Sequence, residues 1–261
     1  MPQVTRNNFD ATWLEPTQPA ETYTKFSHIA LREKQGVRPS IKAALAQAVI
    51  DHHLHYKIVA RKLKKYGYSK TAAFLSSRLP RDHKTRMGNF GEVVSTEHLR
   101  QGCGYETPVF KLRFAENFGL PMRGEDIIAF RIDASGRIVR MCVGEAKASD
   151  AFHRDVVVRA HARLDKAYHP FPVSLSMIAN ILYDRGDDDL GEQVERIIER
   201  LATRPFPRDN WIFVITGSLP HDPFSAVEGG SKVVESLSCV DIHLSDLTSF
   251  VNDVFDQPLP R

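Results

Sequence analysis

An α/β fold, a sheet with helices on both faces, is what this sequence predicts, and three features predict it. Between Gly124 and Ser149, two apolar β-branched runs flank the short turn Ala134-Ser135-Gly136-Arg137, the signature of a β-hairpin. Trp211 to Thr216 is a further apolar, β-branched run, the best buried strand of the C-terminal half. Segments with helical spacing separate these runs, so strands and helices alternate along the chain. With 261 residues and 42% hydrophobic content, the chain can build one large domain, or one domain with an appendage.

Residues 1 to 39 are polar and dotted with Pro2, Pro16, Pro19 and Pro39, with aromatics at Phe9, Trp13, Tyr23 and Phe26. They read as an extended arm or a few short strands packed on something else. From Ser40, a plausible N-cap, Ile41, Ala44, Leu45, Val49, Leu54, Ile58, Val59 and Leu63 recur near the 3.6 period, so a helix is expected to run to about Gly67. A second helix follows from about Ser69 to Leu79, stopped by Pro80. Val109 to Phe114 alternates like a strand and would sit beside the hairpin. After the hairpin come a helix from about Phe152 to Ala167 and another from Gly191 to Ala202. The run Asp187-Asp188-Asp189 supplies the second with an acidic first turn that suits the helix dipole. Gly229 to Leu237 is expected to be helical, Cys239 to Leu244 a strand, and Asp246 to Phe255 a last helix capped by Ser245 or Asp246.

The hairpin is also where the chemistry gathers. Asp126 opens its first strand, while Glu145 and Lys147 close its second, so all three stand at one end. Side chains two apart on a strand share a face, which places Glu145 with Lys147 and turns Ala146 away. Two carboxylates can hold a hard divalent cation through oxygen ligands, and a lysine beside them can orient or help deprotonate a water. The competing reading is a solvated strand end. Asp82-His83-Lys84 has the same kind of spacing but lies in an Arg-rich polar stretch with no strand around it.

These residues resemble the PD-(D/E)XK nucleases, whose core carries an Asp on one strand and a (Glu/Asp)-x-Lys on the next. Gly124-Glu125-Asp126 and Gly144-Glu145-Ala146-Lys147 match that pattern, and Arg86 to Val94 looks like the preceding helix that often supplies a further acid, here Glu92. More narrowly, Gly-Asn-Phe-Gly-Glu at 88–92, Gly-Glu-Asp-Ile-Ile at 124–128 and Gly-Glu-Ala-Lys at 144–147 are similar to the nuclease subunit of the Hachiman anti-phage defence system, the HamA family. The resemblance spans about residues 86 to 150, and Glu125 and Met141-Cys142 have no known role within it. It implies a restriction-endonuclease-like core, a mixed sheet flanked by helices, at 86–261, behind an N-terminal arm and basic helical region at 1–85. It further implies a Mg²⁺- or Mn²⁺-dependent DNA nuclease. Asp126 and Glu145 would be metal ligands, Lys147 would position the attacking water, and Glu92 would assist and count as a third candidate ligand. An ATP-dependent helicase is the implied partner. The alternative is a nuclease fold kept for nucleic-acid or protein binding without turnover.

Composition narrows the setting. Cys103, Cys142 and Cys239 are odd in number and far apart, which indicates neither a disulfide framework nor a paired-cysteine zinc site and fits a reducing cytoplasm. The N-terminus has no apolar targeting core, and no apolar run is long enough for a bilayer. The net charge is +3, but from Lys57 to Arg86 ten basic residues face one acid, Asp82. Arg61, Lys62, Lys64 and Lys65, with Tyr56, Tyr66 and Tyr68 near them, can track a phosphate backbone or can simply form a solvated helix face. Arg159, Arg163 and Lys166 line one side of the helix after Glu145-x-Lys147, where Arg159 and Arg163 can meet a phosphate; Arg159 can equally pair with Asp155. Asp51 and His55 have the i, i+4 spacing that can grip a metal on one helical face, but no matching Cys or His pair follows, so His52, His53 and His55 are expected to be surface or boundary histidines. No phosphate-loop motif is present, since Gly229-Gly230-Ser231-Lys232 has the wrong spacing, and no Gly-x-Ser-x-Gly elbow is present.

Overall fold

The computed structural model describes residues 9–19, 21–114, 124–166 and 172–257. In chain order the elements are α1 (Phe9–Trp13), β1 (Leu14–Thr17), β2 (Ser27–Glu33), α2 (Arg38–His53), α3 (Tyr56–Ser76) and α4 (His83–Gly102). A 3₁₀ turn (Lys111–Phe114) precedes β3 (Ile127–Ile132), β4 (Ile138–Ser149), α5 (Arg154–Lys166), α6 (Ser174–Asp184) and α7 (Asp188–Leu201). The chain closes with β5 (Arg208–Thr216), α8 (Ser225–Glu228), β6 (Leu237–His243) and α9 (Leu247–Asp256). The strands form one six-stranded mixed sheet in the order β1-β2-β6-β5-β4-β3. The inner pairings β2–β6, β6–β5 and β5–β4 are parallel, and the two outer ones are antiparallel. Among the described residues no helix is long and apolar enough to cross a membrane.

Period-two alternation divides the sheet into two packed faces. Trp211, Phe213 and Ile215 of β5 join Val240 and Ile242 of β6 in a core with Leu45 of α2, Phe90 of α4 and Val254 of α9. Ile212, Val214 and Cys239 point the other way, to Val157 and Leu164 of α5, Ile178 of α6 and Val194 of α7. A central parallel strand buried on both faces needs apolar side chains at every position, which is why 211–215 read as an unbroken run. Each fully buried Phe, Ile or Leu here contributes about 1.5–3 kcal/mol. The end of α1 brings Trp13, and β1 and β2 bring Leu14 and Leu31, into the first core; the two strands extend the sheet that carries the hairpin, so the arm does contain short strands.

Three expectations of the elements need correction. The helix from Ser40 breaks at Leu54, which is extended (φ −140°, ψ 142°), and His55 caps the next helix by accepting the Lys57 N–H at 3.2 Å. Gly67 does separate two helical stretches as expected: its backbone leaves the helical region with φ +74°, a conformation that favours glycine, and the stretches on either side are the two halves of α3. Val109 to Phe114 is not a strand. Lys111 and Leu112 are adjacent yet both buried, so the alternation fails, and Phe110 is held by His52, stacked on it at 4.0 Å, and by the guanidinium of Arg113 at 4.6 Å. The short helix near residue 229 is Ser225–Glu228, ahead of the two glycines that would weaken a later one. Other elements match to within a few residues. Ala167, expected to end α5, lies outside the described residues, and α6 has no counterpart in the sequence reading. Asp246 does stand at the N-cap of α9, but the Thr248 N–H is taken by Asp150 Oδ1 at 3.0 Å.

Two contacts tie α4 to its neighbours and bring its acid to the sheet. At Gly91 a Cβ would come within 3.1 Å of the Ala148 Cβ, so glycine lets the helix lie close on β4 and carries Glu92 to the strand end. His53, buried like His52 and not at the surface or a boundary as expected, has its Nδ1 2.7 Å from the Val49 carbonyl and its Nε2 2.9 Å from the Asn89 side-chain amide. The first contact requires an N–H and the second an acceptor, so the ring fits as the neutral Nδ1–H form. Burial pushes its pKa down from 6.5 to about 4. A base whose folded pKa is lowered contributes stability that is present above the unfolded value and is lost as pH falls. Wild-type stability relative to His53→Gln is therefore expected to decline between pH 6.5 and about 4, by roughly 3 kcal/mol at most, in urea unfolding followed across that window.

Candidate active site

Antiparallel pairing of Ile127 with Gly144 sets the residue before β3 beside the last residues of β4. Asp126 Oδ2 accepts the Ala146 N–H at 3.0 Å and so is fixed to that strand by the main chain. Lys147 Nζ stands among three oxygens: Asp126 Oδ2 at 3.1 Å, Glu145 Oε2 at 3.0 Å and the Ala146 carbonyl at 3.0 Å. A second cation arrives from α5, where Arg163 Nη1 lies 3.1 Å from Glu145 Oε2 and 3.8 Å from Asp126 Oδ1. Its Nη2 donates to the Gly124 carbonyl at 2.9 Å. The Glu145 side chain is 2% exposed and that of Arg163 46%, so the acid is buried while its guanidinium cover faces solvent.

Burial works against the Asp126 carboxylate, but the charges of Lys147 and Arg163 and the Ala146 N–H outweigh it and hold its pKa below the usual value. Glu145 is pushed up to about 7, first by burial and then by the charge of Asp126. Glu92 is pushed up to about 8, chiefly by burial and with Asp126 and Glu145 adding to it, against the charge of Lys111. Glu92, Asp126, Lys111, His52 and Ser174 line a narrow cavity of about 20 Å³, room for about one water.

The segment before Asp126 is locked from three sides. Glu125, buried, accepts the Val173 N–H at 3.2 Å and the Ser174 N–H at 3.0 Å, satisfying the start of α6. Lys111 donates to the Glu125 carbonyl. Gly124 has φ +93°, and a Cβ there would meet the Ser174 Oγ at 2.5 Å. Glu125 thus has a structural task that its residue type did not announce. Lys111, the one cation between Val109 and Leu112, is a signal the sequence offered, because a charge inside an apolar run needs a buried partner.

The structure thus gathers Asp126, Glu145, Lys147 and Arg163, with Glu92 across the cavity. The others lie apart. Arg159 pairs with Asp155 on the exposed side of α5. Arg61, Lys64 and Lys65 are exposed on α3, with Lys65 5.0 Å from the Tyr66 ring centre and Lys62 4.0 Å from that of Phe74. His52 binds Glu97 at 2.8 Å. Burial alone would raise Glu97, but the His52 hydrogen bond and the charges of His52 and Arg100 bring it down to about 2. Among the described residues, no three His, Cys, Asp or Glu side chains are grouped so as to hold a metal. At the hairpin end, Lys147 and Arg163 hold the oxygens of the two acids.

A family model described as HamA matches residues 7–256. The chain belongs to the HamA family. It is 27% identical over 220 residues to the Hachiman protein HamA of Bacillus cereus, a match covering 82% of this chain and 77% of that relative. The match runs well beyond the 86–150 segment and takes in the arm, the basic helices and the C-terminal strands of this HamA-family chain.

Replacing Glu125 by Ala leaves the Val173 and Ser174 N–H groups without their acceptor. The cost is expected to be about 2 kcal/mol, read from the urea midpoint, with Glu125→Gln recovering part of it.

Proposed function

We propose that this chain is a metal-dependent nuclease that hydrolyses phosphodiester bonds in DNA, and that it is the effector of an anti-phage defence system. The observation that carries the reading is the convergence of Asp126, Glu145 and the Ala146 carbonyl on one cation, the Lys147 ammonium. That donor set is all oxygen, and it already surrounds a positive charge, so it fits a hard ion such as Mg²⁺ or Mn²⁺. Asp126 and Glu145 would hold the ion with the Ala146 carbonyl, and Glu92 would complete the acidic wall. Bound there, the ion supplies charge stabilisation to a phosphate. Lys147 reaches both acids and is placed to orient a water and take part in its deprotonation. Arg163, exposed at the rim, is placed to bind the phosphate. Basic α3, with Arg61, Lys62, Lys64 and Lys65, is suited to the flanking backbone.

The family relationship supports the defence role, since the relative's name places it in the Hachiman system. A helicase is the proposed partner, and the absence of a phosphate-loop motif in this sequence is consistent with ATP-driven work residing on another chain. The competing reading is an inactive binding module. One observation favours it: Lys147 and Arg163 already neutralise both acids.

Purified protein is expected to nick plasmid DNA with Mg²⁺ and to stop with EDTA. Glu145→Ala and Lys147→Ala should each lower the rate by about 10²-fold or more while circular dichroism stays unchanged. Wild-type protein that leaves both plasmid and single-stranded DNA circles intact across Mg²⁺ and Mn²⁺ sinks the nuclease reading in favour of the binding module.

A further inference from the structure

The 3₁₀ turn that sends Lys111 into the cavity sends Arg113 the other way, to a cluster of positive charge. Arg113 Nε donates to the Asp51 carbonyl at 2.7 Å, and Arg185 Nη1 donates to the Pro108 carbonyl at 3.0 Å. Among the described residues neither guanidinium forms a salt bridge. The Asp51 carboxylate, close enough to feel Arg113, is hydrogen-bonded by Gln47 at 2.9 Å. Burial, then the charge of Arg185, pushes the Arg113 pKa down to about 10, with Asp51 opposing and Arg100 adding to it. His55 feels Arg113, Arg185 and Lys57 in turn, each of which lowers its pKa after burial does. Like charges gathered at a half-buried position destabilise the fold unless an anion joins them.

Exposed aromatic rings flank this cluster. Tyr56 is 62% exposed and stacks on the His55 ring at 4.8 Å. Phe114 is 38% exposed, with the Arg185 guanidinium 5.5 Å from its ring centre. A duplex presents phosphates to a surface and keeps its bases stacked inside, so it would use the guanidiniums and leave the rings idle. An unpaired strand presents both phosphate and base faces, which suits guanidiniums and rings together.

We propose that Tyr56, Phe114, Arg113 and Arg185 form a binding platform for single-stranded nucleic acid, lying beside the acid site and separate from the basic face of α3. Arg113 and Lys111 are two residues apart on one turn, and Lys111 lines the cavity with Asp126 and Glu92. A strand held on the platform would therefore sit against the same turn whose Lys111 lines the acid cavity. This gives the proposed nuclease a substrate class, DNA with unpaired bases, and for that use it rests on the nuclease reading.

The test is fluorescence anisotropy of the full chain in EDTA, with labelled oligothymidylate and a labelled duplex, each about 20 units long, beyond the roughly 4–16 nucleotides one strand-binding fold covers. Tyr56→Ala combined with Phe114→Ala is expected to weaken oligothymidylate binding about thirtyfold or more and to leave duplex binding within about twofold. Arg185→Gln should lower the oligothymidylate salt slope by about 0.7. Both rings are exposed, so the double variant keeps its core. Equal losses on both ligands would make the patch a duplex contact, and no loss on either would remove it as a nucleic-acid site; each overturns the proposal. The two readings fail separately. Plasmid cleavage by wild type, with unchanged oligothymidylate affinity in the ring variant, sinks the platform alone. Loss of oligothymidylate affinity in that variant, with no cleavage by wild type of either plasmid or single-stranded DNA circles, sinks the nuclease alone.

Discussion

A carboxylate only 2% exposed at the end of a strand cannot stay charged without cations beside it, and the elements around Glu145 are placed as that need requires. One cation is local, because Lys147 follows two residues later on the same face of β4. The other must come from another element, and α5 brings Arg163. Arg163 in turn holds the Gly124 carbonyl, the next residue fixes the start of α6, and the one after it is Asp126. The packing of the second sheet face and the electrostatics of the hairpin end are therefore one arrangement. Moving α5 or α6 would leave a buried charge uncompensated.

The acids in that arrangement are not equivalent. Asp126 is held ionised, while Glu145 rises to about 7 and Glu92 to about 8, so near neutral pH the three carry fewer than three full charges between them. Lys147, Arg163 and Lys111 face them. A site balanced in this way responds to whatever removes one of its cations. Arg163 is the most exposed of the three, and a phosphate that draws it away leaves the oxygens of Glu145 and Asp126 short of positive charge. On the proposed reading that is the state in which an all-oxygen donor set favours a hard cation.

How much of this was legible in the sequence follows from which forces are local. The hairpin, the buried strand at 211–216 and the convergence of Asp126, Glu145 and Lys147 all follow from period-two geometry, which a string of residues displays directly. Val109 to Phe114 misled because alternation records only apolar spacing, while Phe110 and Lys111 answer to His52, Arg113 and the Glu125 carbonyl, which are distant in sequence or carry no pattern. The break at Leu54 was hidden for a related reason: Ile58 and Val59 stay in helical phase across it, although α3 buries only Thr71 and Leu75. Arg163 was recognisable as a cation near the site, but its grip on both acids required knowing where α5 packs.

The remaining question is how such a site selects its target, and the chain itself narrows the answer. Phosphate and metal chemistry reads no sequence, and nothing in this sequence resembles a base-reading module. On the proposed reading its recognition groups would be the cations of α3, which suit any backbone, and the ring-flanked guanidiniums of Arg113 and Arg185, which suit unpaired bases. A protein equipped in this way can discriminate by the state of the strand and not by its sequence. Strand state is also what a helicase alters. A division of labour in which one chain opens DNA and the other cuts what has been opened would let two components without sequence readout act together selectively. On this chain, the proposed strand platform and the acids would be joined by the short turn that carries Lys111 to the acid side and Arg113 to the other.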